Sequence, residues 1–186
     1  ASVFDLVKRW VQLKLSESPE STENNVESYT LFSNWNHAVL ERKLGHPVNG
    51  LLTAGFEHWP LVWHKEKYTA FLTQPKFELT DYVSKDWLLG LRERTNAQGE
   101  IKLPVKDEDL QFIASKLEMA PHKELFVGFL HSQRNPVNES KVCEFLRSTG
   151  IKTVGSSEVC PSNDERIRWL TAIAQTYAWT PCQEYI

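Results

Sequence analysis

Residues that would point directly to a chemistry are scarce in this sequence, and each scarcity removes something. Cysteine is sparse: Cys143, Cys160 and Cys182 are an odd number without close spacing. That excludes a disulfide framework and a zinc knuckle, and it fits a reducing compartment. Charge of one sign is scarce as well, since 21 Lys and Arg stand against 24 Asp and Glu for a net charge of −3. With no basic stripe, gripping duplex nucleic acid is disfavoured. No apolar run reaches the length of a membrane span, and the N-terminus lacks the basic-then-apolar pattern of a signal peptide. The expectation is a soluble cytoplasmic protein. The first residue is Ala1 and not Met, which reads as processing or as a piece of something longer. A Walker loop, a dinucleotide glycine fingerprint, a nucleophile elbow and a zincin pair are all missing, and no cofactor is identified.

What is present is a globular composition, 41% hydrophobic and 24% charged. At this size folding buries roughly 70% of the unfolded surface, so a core forms without staples. The organisation read from the sequence is an amphipathic helix within 1–15, an acidic polar linker over 16–25 and one α/β domain over 26–186. In the helix, Val3, Phe4, Leu6, Val7, Trp10, Val11 and Leu13 fall at helical spacing.

The most informative stretch is Glu124 to Glu158. Leu125 to Leu130 is a short apolar run, which reads as a strand buried on both faces of a parallel sheet. A polar loop, His131 to Asn135, leads to Pro136 as a first helical residue with Asn135 as its cap. Val137, Val142, Phe145 and Leu146 share one helix face, Gly150 terminates it, and Ile151, Thr153 and Val154 restart a strand. The fold class is therefore α/β: a single domain, a mixed sheet with a parallel βαβ unit in the C-terminal half, and helices covering it. Ser162 and Glu165 have capping-box spacing before a last helix through Ile167, Trp169, Leu170, Ile173, Ala174 and Tyr177, ended by Pro181.

Earlier segments read less clearly. Tyr29, Leu31 and Phe32 suggest a strand, and Ser33 caps a helix running to Leu44. Leu61 to Trp63, Tyr68 to Leu72, and Phe77 with Leu79 read as short strands of an antiparallel or mixed region. Ser84 caps a helix carrying Trp87, Leu88 and Leu91, and Ile101 with Leu103 forms a strand. Asp107 to Asp109 open a helix whose buried face holds Leu110, Ile113, Leu117 and Met119. Trp35, Trp59, Trp63 and Trp87 are expected to fill the core.

In open α/β sheets ligands gather beyond the carboxyl ends of the strands. Here those ends are His131 to Asn135 and Ser156 to Ser162. Cys160, placed before a helix N-terminus, with His131 as base and Glu158 or Ser156 to orient it, would make a nucleophile pair. The same loops offer ligand contacts from Ser132, Arg134, Ser156 and Ser162, including an anion held by Arg134 and helix amides. Three weaker patterns are set against plain readings. Glu100 and Lys102, with Asp81 or Asp86, match metal-dependent nucleases, or form an exposed ion pair. His37 with Glu41, and His58 with His64, are each only half a metal site. Asn138-Glu139-Ser140 satisfies a glycosylation sequon but reads as ordinary helix. With no complete catalytic constellation, the leading functional reading is a non-catalytic binding domain, a subunit or fragment of a larger assembly. Its partner, or a second copy, would be engaged through Val3, Phe4, Val7, Trp10 and Val11. The alternative is a small hydrolase or transferase with its site at the strand ends, or a metal-dependent nuclease.

Overall fold

The computed structural model describes residues 35–62 and 79–185, together with residues 9, 10 and 13. The elements in chain order are α1 (Trp35–Glu41), β1 (Val48–Thr53), the short α2 (Trp59–Val62), a 3₁₀ turn (Leu79–Asp81), β2 (Val83–Leu91), β3 (Arg94–Thr95) and β4 (Ile101–Leu103). Then come α3 (Asp107–Glu118), β5 (Glu124–Gly128), α4 (Val137–Ser148), β6 (Lys152–Gly155), the four-residue α5 (Ser156–Val159) and α6 (Glu165–Tyr185).

The main sheet has the order β2-β1-β5-β6, and every pairing in it is parallel. Strand β1 is buried along its whole length, as a central parallel strand must be. Alternation along the strands feeds two cores. On one face Leu52, Phe126 and Val154 meet Val39 of α1 and Trp169, Ile173 and Tyr177 of α6. On the other Leu51, Leu125 and Val127 meet Leu110, Ile113 and Leu117 of α3 and Val142, Cys143 and Leu146 of α4. Each fully buried Leu or Phe of these cores stabilises the fold by about 1.5–3 kcal/mol. The result is three layers, helix, sheet and helix, with a small antiparallel β3–β4 hairpin beside them.

The βαβ unit stands as the sequence reads it: β5 and β6 pair parallel with α4 between them. Its details shift. Helix α4 starts at Val137 with Pro136, and not Asn135, in the cap position; Asn135 still accepts the Val137 amide at 3.2 Å. Val137 is 57% exposed; the buried face instead carries Asn138 and Glu139 beside Val142, Cys143 and Leu146. Gly150 does take the left-handed conformation, φ +85°. Asp164 caps α6, accepting the amides of Arg166 and Ile167, so the expected Ser162–Glu165 box is not made; Glu165 turns to His131 instead. Pro181 does not end α6, which continues to Tyr185.

The largest correction is β2. The expected helix with Trp87, Leu88 and Leu91 is an extended edge strand, pairing Val83 with Val48 and Leu88 with Gly50 through a bulge. Unpaired backbone groups along one side of buried β1 demand a partner strand, and that requirement overrides the local helical spacing. Among the described residues, the middle region is thus parallel in the main sheet and antiparallel in the β3–β4 hairpin. Leu61 and Val62 lie in helix α2 and not in a strand, Met119 is 73% exposed, and Trp59 is exposed while Trp169 is fully buried. The expected linker, the strands over Tyr29–Phe32 and Tyr68–Phe77, and Trp63 lie outside the described residues. Of the first helix only Arg9, Trp10 and Leu13 are described, all helical. No described helix is long and apolar enough to cross a membrane.

Candidate functional site

Strand order marks one place where a site is expected. From β1 the chain moves to β2 on one side, then returns to β5 on the other, so direction reverses between β1 and β5. Crevices beyond the carboxyl ends of the strands at such a reversal are where open α/β sheets take ligands. Thr53, the last residue of β1, donates its hydroxyl to Glu93 Oε1 at 2.5 Å and accepts the Leu130 amide at 3.0 Å. Asn138 Nδ2 donates to Glu93 Oε2 at 3.0 Å and to the Leu103 carbonyl, while its Oδ1 accepts the Val105 amide. These bonds tie together the ends of β1, β2 and β5, the hairpin and the first turn of α4. Glu93 is 3% exposed; burial pushes its carboxyl above the ordinary range, against the pull of Thr53, Asn138 and Arg94.

A second buried carboxylate organises the neighbouring loops. Glu139 Oε2 accepts the Phe129 amide and the Ser156 hydroxyl, both at 3.0 Å. Its Oε1 accepts the Ser157 amide and hydroxyl, both at 2.7 Å. One side chain thus clamps the exit of β5 to the exit of β6. Arg168, fully buried, closes the same region from α6 by donating to the carbonyls of Ser162 and Phe129.

Beyond the exits of β5 and β6, to one side of the β1–β5 reversal, lies a cleft of about 300 Å³, lined by Ser132, Gln133, Pro136, Ser140, Ser157, Glu158 and Pro161. Glu158 is fixed there by Arg147, whose two terminal nitrogens meet its carboxylate at 3.1 and 2.5 Å. The pair is half-exposed and screened by solvent, so it adds little stability, but its bidentate geometry fixes orientation. Gln133 Oε1 is buried and has no hydrogen-bond partner among the described residues. The lining offers hydroxyls, an amide and a neutralised carboxylate, with no cationic side chain.

Of the residues singled out from sequence, Ser132 and Glu158 line the cleft, and Ser156 stands behind it with its hydroxyl 3.4 Å from that of Ser132. His131 adopts a left-handed backbone, φ +57°, unusual for a non-glycine residue. Its ring Nδ1 lies 3.5 Å from Glu165, so Glu165 and not Glu158 is the carboxylate beside it. Cys160 follows the C-terminus of α5, its amide bonded to the Ser156 carbonyl, and lies well before α6 begins; the helix N-terminus invoked to activate its thiol is not there. Ser162 accepts the Asp164 amide, and Arg134 is exposed beside the Gly99 turn and away from the cleft lining.

The other patterns take their plain readings. Glu100 and Lys102 form an exposed pair at 2.6 Å, and bonds from Lys102 and Asn96 hold the Glu100 carboxyl below the usual range. Asp81 is bonded to Lys43, and His37 and Glu41 are exposed and 3.6 Å apart. His58 is exposed, while His64 lies outside the described residues. Among the described residues no group of His, Cys, Asp or Glu could hold a metal ion. Sequence reasoning missed Glu93, Glu139, Gln133 and Arg168. A signal existed for Glu139, which lies four before the core residue Cys143, as Asn138 lies four before Val142, so both belong to the buried face.

The profile of the hydantoinase/oxoprolinase N-terminal region matches residues 27–150, about two thirds of the chain. The chain belongs to that family. A relative of uncharacterised role from Methanocaldococcus jannaschii is 30% identical over 112 residues, 59% of this chain and 16% of that protein. The acetophenone carboxylase gamma subunit of Aromatoleum aromaticum is 28% identical over 102 residues, 51% of this chain and 14% of that subunit. This member of the hydantoinase/oxoprolinase family therefore spans about a sixth of the length of the curated relatives it matches. Among solved structures, the ATP-dependent caprolactamase of Pseudomonas jessenii superposes with a TM-score of 0.77 at 16% identity, covering 95% of this chain and 27% of that one. A nucleotide-free acetone carboxylase does so with a TM-score of 0.62 at 22% identity, covering 80% and 23%. At such identities these two establish the shared fold. The reading of a non-catalytic binding domain is overturned by the family match, because the family is one of hydantoinases and oxoprolinases. The alternative, part of an enzyme with a site at the ends of parallel strands, agrees better with these findings.

Proposed function

We propose that this chain is the N-terminal region of a larger enzyme that acts on a small carbonyl compound, and that the cleft at Ser132, Gln133, Ser140, Ser157 and Glu158 is where that compound contacts this region. The observation that carries the reading is the family match over residues 27–150. The relatives' names point to two substrate types, the cyclic amide of a caprolactamase and the ketones of the acetone and acetophenone carboxylases. Both are small, neutral carbonyl compounds, and a cleft of about 300 Å³ whose one charged side chain, Glu158, is paired with Arg147 is at the small end of the usual range for ligand sites. The cyclic amide is favoured over the ketone. Its N–H supplies the donor that buried Gln133 Oε1 lacks, which a ketone cannot do.

ATP is not assigned to this cleft. A triphosphate needs cationic or amide-rich surroundings, and the lining holds a carboxylate and no Lys, Arg or His. Nucleotide, where used, would be bound by other parts of the enzyme. Arg147 and Glu139 act here as positioning residues, fixing Glu158 and Ser157. The test is turnover by the natural full-length protein or assembly, offered cyclic amides or, separately, ketones with bicarbonate, each with and without ATP. Turnover of a cyclic amide that drops in Gln133→Leu, mainly through a higher KM, supports the proposal. A folded, complete assembly that turns over neither class would refute it.

A further inference from the structure

The serine hydroxyls around the strand-end cleft are not free to choose their direction. A carboxylate only accepts hydrogen bonds, and the hydroxyls of Ser156 and Ser157 both donate to Glu139, at 3.0 and 2.7 Å. A hydroxyl has one proton, so Ser157, which lines the cleft, has only lone pairs left to offer there. The effect passes one residue further. Ser132 also lines the cleft, is 2% exposed, and has its Oγ 3.4 Å from that of Ser156. Since the Ser156 proton is committed to Glu139, Ser132 is the donor of that pair, and it too turns lone pairs to the cleft. Gln133 Oε1, buried and without a partner among the described residues, and the Glu158 carboxylate add two further acceptors. On the lining side chains the donors that remain are the Ser140 hydroxyl and the Gln133 amide nitrogen.

We propose that Glu139 sets the specificity of this cleft: by taking the protons of Ser156 and Ser157 it turns the wall into hydrogen-bond acceptors, which select a ligand bearing an N–H donor over one of the same shape bearing only acceptors. This selectivity presupposes the cleft's role as a ligand site proposed above; it adds what that site selects and which residue imposes the choice. The cause is an asymmetry. An entering N–H finds lone pairs at Ser132, Ser157 and Gln133, whereas a carbonyl oxygen against the same wall gives up water and meets lone pairs. A polar group left unpaired in this way changes affinity about tenfold or more. Neither Glu139 nor Ser156 lines the cleft, so both are positioning residues, acting through Ser157 and Ser132.

The test uses the natural full-length protein or assembly and a pair of probes matched in ring size: δ-valerolactam, which carries an amide N–H, and cyclohexanone, which carries only a carbonyl. Either carbonyl can use the Ser140 hydroxyl, so the difference between the probes reads the N–H. Saturation-transfer NMR titrations should give the lactam a dissociation constant about tenfold or more below that of the ketone. Ser156→Ala leaves every lining residue in place but removes the acceptor of the Ser132 proton, which then turns into the cleft. Cyclohexanone should bind about fivefold tighter, and the preference for the lactam should shrink. In Ser132→Ala/Ser156→Ala that gain should vanish, a result that a merely structural role of Ser156 does not give. Ser157→Ala, at a half-buried position, should weaken lactam binding about fivefold without helping the ketone, and it decides the matter if circular dichroism shows that Ser156→Ala does not fold. Binding of neither probe overturns the cleft as a ligand site and this selectivity with it. Equal affinity for both probes, or a lactam preference unchanged in Ser156→Ala and in Ser157→Ala, overturns the role of Glu139 alone.

Discussion

Replacing Glu139 with Gln changes one atom and removes the clamp between the exits of β5 and β6. In the native arrangement both carboxylate oxygens face donors only: the Phe129 amide and Ser156 hydroxyl on one, the Ser157 amide and hydroxyl on the other. The new NH₂ group must therefore point at a backbone N–H in either orientation. The serine hydroxyl beside it can rotate and accept, but the amide of Phe129 or Ser157 cannot. A charge-assisted bond of about 1.5–3 kcal/mol is lost, and a stranded buried N–H costs about 1–3 kcal/mol more. Relief from holding a buried carboxylate offsets part of this. The expected net destabilisation is about 2–4 kcal/mol, a large share of the roughly 5–15 kcal/mol that holds a domain folded. Urea denaturation followed by tryptophan fluorescence measures it, and with a slope near 2 kcal/mol/M the midpoint should fall by about 1–2 M. Glu139→Asp, which keeps the charge but shortens the reach, should lie between wild type and Gln. A Glu139→Gln midpoint within experimental error of wild type would refute the assignment of Glu139 as the clamp.

Glu93 makes a prediction about pH. Burial raises its folded pKa above the ordinary 4.5, so the folded state holds this proton where the unfolded state has released it. Its contribution to stability is complete below the unfolded pKa and is lost as pH rises through the folded one. Glu93→Gln should remove that decline; parallel stability–pH curves for wild type and variant would count against a buried, perturbed Glu93. Gly128→Ala tests the contact between β5 and α6. An added methyl would come within 2.9 Å of the fully buried Trp169 ring, so a loss of about 1–3 kcal/mol is expected in thermal or urea unfolding. No loss would mean that the ring moves aside freely.

The parts of the fold legible in sequence are those whose causes are local. The apolar run of β5, the Asn135–Pro136 turn and the left-handed Gly150 announce β5, α4 and β6, and α3 follows from its acidic first turn and the spacing of Leu110, Ile113 and Leu117. Strand β2 shows where local reading fails. Trp87, Leu88 and Leu91 carry a helical spacing, yet the chain is extended because the side of β1 that it covers needs hydrogen-bond partners. Site residues divide in the same way. Loops at the strand ends were recognisable, and Ser132 and Glu158 were picked out from them. The partner of His131 was not, because Glu165 reaches it through space from 34 residues away.

By itself the sequence determined that this is an α/β domain, which strands flank α4, and that polar loops leave the sheet at His131 and Ser156, since periodicity, caps and turn residues act over a few positions. Tertiary structure alone decided the strand order, the reversal between β1 and β5, and the two buried carboxylates, Glu93 beside the end of β1 and Glu139 between the exits of β5 and β6. Thr53 meets Glu93 40 residues away, Leu130 meets Thr53 77 residues away, and Asn138 meets Glu93 45 residues away. No local pattern encodes such pairings. A polar residue survives in a core only where distant donors and acceptors converge on it, and that convergence exists only once the sheet has assembled.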